Sequence, residues 1–457
     1  MKNTMTAAQD RVSTGMKLGY GLGDFGANMV YQSVMLYLMF YFTDVFLIGA
    51  SAAGTIFLVA KFWDAVTDPI IGFASDATKS RWGRKRPYLL FGAVPLGVSM
   101  YLLFASPAIP ESWKVIYGLA AFLLVCTAYT VVNIPYGALT ASLTTDSHER
   151  SRVTGYRMFF AILGTLVVAG ATKPLAGLFS SPVQGWRFVG LVYGIIAALF
   201  TLITFFSVRE RIQTGTEKFS PGDIRKVVLA NRPFIVLSLG MVMHLGAIGI
   251  LAAMVNYHFK YNFHRESFVP LVFLCLFATA AVSIPLWVYL SKKIGKKNAF
   301  NTGMLIVALC LIVLFFVKNF NMGIFIPLFI VTGIGISTMF FSPWAMIPDT
   351  VEYSEWKTGL RREGILYGFF YFSHKLAAAL AGFITGLGLS AIGYLQPLEI
   401  NTVITAQEQG TSTLYGIRLL ATLVPVALIM IGIFFISRYP IDEKMHTGIL
   451  EDLRRKE

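Results

Sequence analysis

Twelve apolar stretches of membrane-crossing length follow one another along this chain of 457 residues. A spanning helix needs about 20 apolar residues. Candidates lie at 18–46, 51–75, 87–106, 115–140, 155–178 and 186–207, then at 233–258, 267–290, 299–317, 322–347, 364–395 and 415–437. Hydrocarbon offers no water to backbone amides, so each stretch is expected to be a helix. Composition agrees: hydrophobic residues make up 56% and charged residues 14%, against about 25% charge in soluble chains.

The fold class expected is therefore an all-α membrane protein with twelve transmembrane helices in two six-helix halves. The only long charged linker, 209–231, separates an N-terminal half (1–208) from a C-terminal half with its tail (232–457). The halves echo each other. Asp76 leads into Arg81-Trp-Gly-Arg84-Lys-Arg86 after span 2, and Leu290 leads into Ser-Lys-Lys-Ile-Gly-Lys-Lys297 after span 8. A basic turn at the same place in each half is the trace of a duplicated transporter fold.

The net charge of +14 falls in short clusters between apolar runs. That pattern belongs to loops on the cytoplasmic side of a membrane and not to a nucleic-acid face. With both termini cytoplasmic, that side collects 28 of the 38 Lys and Arg residues. The expected location is the inner membrane, with lipids as surroundings. Cys126, Cys275 and Cys310 sit inside apolar runs and form no disulfide framework. The polar N-terminus shows no cleaved signal peptide.

Ionisable groups inside a span cost roughly 3 kcal/mol each on insertion scales, so each needs a reason. Span 2 has Lys61, Asp64, Thr67, Asp68 and Pro69. Lys61, Asp64 and Asp68 share one helix face, and two carboxylates one turn apart repel unless a cation or proton lies between them. Pro69 frees the Ala65 carbonyl, adding a hard oxygen suited to Na⁺. Lys61 as a structural counter-ion is the alternative, but one lysine cannot neutralise two acids.

Span 4 has Tyr129, Asn133 and Pro135, span 5 has Arg157, and span 11 has His374 and Lys375. Arg157 is either interfacial or a substrate contact; Lys375, near the midplane, is expected to face a wet cavity. Trp344 is a platform for a sugar ring or a lipid-facing residue. Asp349, Glu352 and Glu355, followed by Lys357, Arg361 and Arg362, read as a gate of salt bridges, as do Asp76, Arg81 and Arg84.

Gly21-Leu-Gly23-Asp24-Phe-Gly26 matches G-x-G-x-x-G by letters but follows no strand, so a dinucleotide site is not expected. Gly19 and Gly23 serve close helix packing, with Asp24 and Asn28 on one stripe. No phosphate-binding G-x-x-x-x-G-K-[ST] occurs, and no nucleophile–base pair or metal cluster suggests an enzyme.

These motifs resemble the glycoside–pentoside–hexuronide:cation symporter family of the major facilitator superfamily. The resemblance runs over nearly the whole chain. It rests on Gly21-Leu-Gly-Asp24, on Trp63-Asp-Ala-Val-Thr-Asp-Pro69, and on Asp68-x-x-x-Gly72-x-x-x-Asp76 leading to Arg84-Lys-Arg-Pro87. Asn133-Ile-Pro-Tyr136 and Asp349-Thr-Val-Glu-Tyr353 leading to Gly359 complete it. The resemblance implies a cation site at Asp64, Thr67, Asp68 and Thr130. It implies substrate contacts from Asp24, Asn28, Tyr129, Asn133, Arg157, Trp344 and Lys375, and alternating access of the two halves. No cofactor beyond the coupling ion, H⁺ or Na⁺, is implied.

The chain departs from the melibiose-carrier pattern, which has aspartates where Asn28 and Asn133 stand and an asparagine where Thr67 stands. Fewer acids beside Arg157 and Lys375 make an anionic sugar, such as a hexuronide, glucuronide or sulfonated sugar, the sharper expectation. A neutral glycoside or pentoside is the alternative. A lipid or drug carrier of the same fold is the more distant one.

Overall fold

The computed structural model describes residues 12–144, 147–210, 225–360, 362–400 and 403–456. Twelve helical segments of crossing length follow in order. α1 (Thr14–Ser33) runs on through a π turn, Val34–Leu38, into Met39–Asp44. Then come α2 (Ala50–Ala77), α3 (Arg86–Leu103), α4 (Glu111–Leu143), α5 (Ser147–Ala176) and α6 (Pro182–Ser207). After the linker, of which 211–224 lie outside the described residues, come α7 (Arg232–Tyr257), α8 (Val269–Ile294), α9 (Lys296–Phe316) and α10 (Met322–Thr358). The last are α11 (Glu363–Ala391), α12 (Thr411–Ala421 and Leu423–Ser437) and a polar tail helix, α13 (Glu443–Lys456).

Ten of the described helices are long and apolar enough to cross a membrane by length and composition. The other two crossing segments are α1 and α2. They hold Asp24, Lys61, Asp64 and Asp68, so their lower apolarity has the same origin as their chemistry. Among the described residues the structure departs from all-α in one place: a short antiparallel hairpin pairs Leu398–Ile400 (β1) with Val403–Thr405 (β2).

The chain divides into two compact units. One comprises Met1–Glu217 with Leu395–Glu408, the other Lys218–Tyr394 with Gln409–Glu457. In the first, α1 packs on α5 and α6, α3 on α4 and α6, and α2 on α4. In the second, α7 packs on α11 and α12, α9 on α10 and α12, and α8 on α10. Each pairing recurs six helices later, so the duplication read from two basic loops extends to the packing.

Small residues set the closest approaches. A Cβ at Gly23 would lie 2.5 Å from the Tyr136 ring and 2.8 Å from Thr204 Oγ1, so only glycine lets α1 seat against α4 and α6 there. The Thr204 hydroxyl donates to the Gly19 carbonyl at 2.9 Å in the same seam. α10 runs past the expected end of its span to Thr358 and stops where Gly359 adopts the left-handed conformation, φ 70°. Asp349, Glu352 and Glu355 therefore stand on helix and not on a loop.

Candidate cation and sugar site

The first cluster lies between α2 and α4. Asp64 is 3% exposed, and the Lys61 ammonium lies 3.5 Å from its Oδ2. That ammonium also faces the rings of Tyr31 and Phe122 at 5.7 and 5.5 Å, which suits a cation in a desolvated place. Thr130 Oγ1 on α4 lies 2.9 Å from Asp64 Oδ1 and 2.9 Å from Asp68 Oδ1. A hydroxyl has a single proton and can donate to only one of them. With both carboxylates ionised, the other contact is oxygen against oxygen. A proton on either acid, or a small cation shared by both, turns that contact favourable.

The Thr67 hydroxyl donates to the Asp64 carbonyl of its own helix at 3.2 Å, so its proton is directed at the backbone. Trp63 Nε1 donates to Thr127 Oγ1 at 2.9 Å and pins α2 to α4 one turn before Thr130. Tyr129 and Asn133 stand on the same stretch of α4, both half-buried. Tyr129 is within electrostatic reach of Asp24, Asp64 and Asp68.

The second cluster changes the expectation for Arg157. Its Nε donates to Asp24 Oδ2 at 2.6 Å and its Nη2 to Asp24 Oδ1 at 3.3 Å, a forked pair between residues 133 positions apart. Nη1 donates to Thr140 Oγ1 at 2.8 Å. The guanidinium carbon lies 5.2 and 4.8 Å from the Tyr20 and Tyr136 rings, and the Tyr136 hydroxyl is 2.7 Å from Asp24 Oδ2. The fork that would suit an anionic substrate is thus already matched by a carboxylate. Asn28 Nδ2 donates back to the Asp24 carbonyl at 2.9 Å. Arg157 is charge-balanced, and the extra positive charge inferred from Asn28 and Asn133 is smaller than the sequence suggested.

Tyr20 and Tyr136 were missed as parts of this site. Their hydroxyls reach each other's backbone carbonyls, Tyr20 to Tyr136 at 2.6 Å and Tyr136 to Tyr20 at 2.7 Å. The available signal was Tyr20, one turn before Asp24. Both tyrosines are rooted in a buried core with Leu89, Leu139 and Phe205.

In the second unit, Trp344 of α10 is half-buried against α11. Its ring lies 5.2 Å from Phe370, 5.4 Å from Tyr371 and 5.4 Å from His374. His374 Nδ1 is 3.1 Å from the Phe370 carbonyl, which orients that ring. Lys375 follows on α11, half-buried.

Among the expected gate residues, Asp76, Asp349 and Glu352 have basic neighbours in their own units. Lys85 Nζ lies 4.0 Å from Asp76 Oδ1 and donates to the Ala138 carbonyl at 3.1 Å. Burial pushes the Lys85 ammonium below its ordinary pKa, against the pull of Asp76 and Glu210. Glu210, a residue sequence reasoning passed over, accepts from the backbone N–H of Arg84, Lys85 and Arg86 at 3.0, 2.7 and 3.1 Å. It thereby caps the start of α3. Arg81 stacks on Trp82 at 4.2 Å. In the other unit, Lys296 Nζ lies 2.8 Å from both Asp349 oxygens, and His446 of the tail helix bonds Glu352. Glu355 is half-buried on the last turns of α10. Arg361 lies outside the described residues.

Residues 19–443 match the model of the MFS/sugar transport protein family. The chain belongs to that family. Among its relatives, the uncharacterized symporter YnaJ of Bacillus subtilis is 35% identical, with 98% of this chain and 96% of that one covered. The isoprimeverose transporter of Lactiplantibacillus pentosus is 33% identical, covering 96% and 91%. A putative sulfoquinovose importer of Escherichia coli is 31% identical, covering 96% and 93%. In fold, a bacterial homologue of the human lysosomal transporter Spinster matches with TM-score 0.65 at 13% identity, covering 96% of this chain and 97% of that one. The major facilitator fold and the sugar-transport class follow. The protein is a multi-pass membrane transporter and not an enzyme.

Proposed function

We propose that this sugar transporter couples its substrate to one monovalent cation, H⁺ or Na⁺, held by Asp64, Asp68 and Thr130. The observation that carries this reading is the single Thr130 hydroxyl set 2.9 Å from both carboxylates. That arrangement is satisfied when one positive charge joins it and strained when none does. Binding that charge and binding sugar are linked through α4, whose Tyr129 and Asn133 share the helix with Thr130. Thr67 supports the helix more than the ion, since its hydroxyl faces backbone.

For the substrate, hydroxyl-rich recognition by Asn28, Tyr129, Asn133 and the Trp344 ring fits a sugar or glycoside. Lys375 is the cation that would favour an acidic one; Arg157, matched by Asp24, positions α1, α4 and α5 instead. The named relatives include an isoprimeverose transporter and a putative sulfoquinovose importer, so neutral and acidic sugars both belong in the test. The distribution of Lys and Arg supports a cytoplasmic side for both termini.

The deciding experiment is uptake into proteoliposomes, with neutral and acidic sugars under separate H⁺ and Na⁺ gradients. Accumulation above equilibrium under one of these gradients is expected. Equilibration alone under every gradient would overturn the coupling. Acidic sugars that neither accumulate nor compete would remove Lys375 as a charge reader.

A further inference from the structure

Between α3 and α4, at the end of α2, lies a groove of about 410 Å³ with an almost wholly apolar lining. That volume falls within the roughly 300–1,000 Å³ of small-ligand sites. Its walls include Phe91, 64% exposed, and Leu124, 43% exposed, while Gly92 and Ala128 leave the floor without bulk. Lining residues run from Tyr88 to Pro95 on α3 and from Leu124 to Val131 on α4. At 1.5 Å per residue each wall is about 10 Å long, about a third of the hydrocarbon thickness.

Two further lining residues, Thr78 just after α2 and Pro87 in the first turn of α3, flank the basic loop between those helices. The groove therefore opens at the membrane surface under that loop. Its positives divide by direction. Lys85 is turned in to the Ala138 carbonyl and Arg86 to the Phe205 carbonyl at 2.8 Å. Lys79 and Arg81 are exposed. The Tyr88 and Thr78 hydroxyls lie 2.8 Å apart at the mouth, with Thr78 donating on to the Ala74 carbonyl at 2.7 Å. Polar mouth, basic rim and apolar trough are the parts of one amphiphile's outline.

We infer that the groove holds an acyl chain of an anionic phospholipid, whose headgroup phosphate is read by Lys79 and Arg81. At this depth the surrounding medium is hydrocarbon, and a chain in the groove contacts walls and floor together, gaining dispersion contacts that a chain on a flat surface lacks. Each juxtamembrane cation favours an anionic headgroup on the order of fivefold. The site is separate from Asp64 and Asp68, and it shares α4 with Thr130. Lipid occupancy thus bears on the helix that carries the cation ligand.

The test uses the full-length protein in proteoliposomes with a Trp reporter in the groove wall, Phe91→Trp, read against the parent chain. Acyl-brominated phosphatidylglycerol should quench it at a several-fold lower mole fraction than acyl-brominated phosphatidylcholine. Lys79→Gln with Arg81→Gln should bring the two lipids together while leaving quenching itself intact. The exposed position Leu124→Trp repeats the measurement if the first reporter perturbs folding. Equal quenching by both lipids at both positions means ordinary boundary lipid and overturns the site. A preference that survives loss of Lys79 and Arg81 overturns the headgroup assignment.

Discussion

Two pairs of acids on one helix face each, one pair in each unit, differ in what surrounds them. Asp64 and Asp68 share one hydroxyl, that of Thr130, and Lys61 lies 3.5 Å from Asp64. Asp349 and Glu352 each have a basic partner: Lys296 on the first at 2.8 Å and His446 on the second. The first pair shares a single hydroxyl proton, and in the second each acid has its own basic neighbour. Two carboxylates that share one hydroxyl are suited to take up and release a cation. A matched pair is suited to hold helices together, here α9, α10 and the tail helix α13.

The strongest way to break this contrast is Asp68→Asn. Accumulation of sugar against its gradient should fall roughly a hundredfold, the scale of a lost charged ligand, with protein in the membrane unchanged. Accumulation at the parent level would remove Asp68 from coupling. Thr130→Val should weaken cation affinity about tenfold, measured by the cation dependence of uptake, and Thr130→Ser should restore it. Equal affinity in the Val variant would mean that the hydroxyl is only structural.

Lys296→Met tests the other side. It uncovers the Asp349 carboxylate, and because the lysine is half-exposed the cost is about 1 kcal/mol and not that of a fully buried pair. A melting point lower by a few degrees with unchanged cation affinity is expected. A shifted cation affinity would erase the distinction between the two pairs. The smallest effect belongs to a third acid, Glu149, in the turn ahead of the apolar segment of α5. The Lys17 ammonium at 2.6 Å holds its carboxyl below the usual range, with help from the Val12 N–H, against burial. A lowered folded-state pKa gives stability that is present above the ordinary value of about 4.5 and lost as pH falls through the lower one. Protease access to the N-terminal segment should thus stay flat at neutral pH and rise only once pH falls below the ordinary carboxylate range. Glu149→Gln should show the loosened pattern at neutral pH.

Much of the fold was legible because lipid imposes a length and a polarity on every crossing. The helix count, the duplication and the acid pair on α2 could all be read in one dimension. The partner of Arg157 could not. Asp24 is 133 residues away, and nothing local distinguishes an arginine that meets a carboxylate from one that waits for a substrate. Glu210 and His446 were missed for the same reason, since one caps α3 from the far end of α6 and the other reaches α10 from the tail.

The sequence alone determined where the helices run and that Lys61, Asp64 and Asp68 share a face, because helical periodicity is set by the backbone. Only the tertiary structure decided which charges are answered. The packing of α1 on α4 and α5 pairs Arg157 with Asp24. The packing of α2 on α4 brings one Thr130 proton to two carboxylates, and that shared hydroxyl distinguishes Asp64 and Asp68 from the acids of α10.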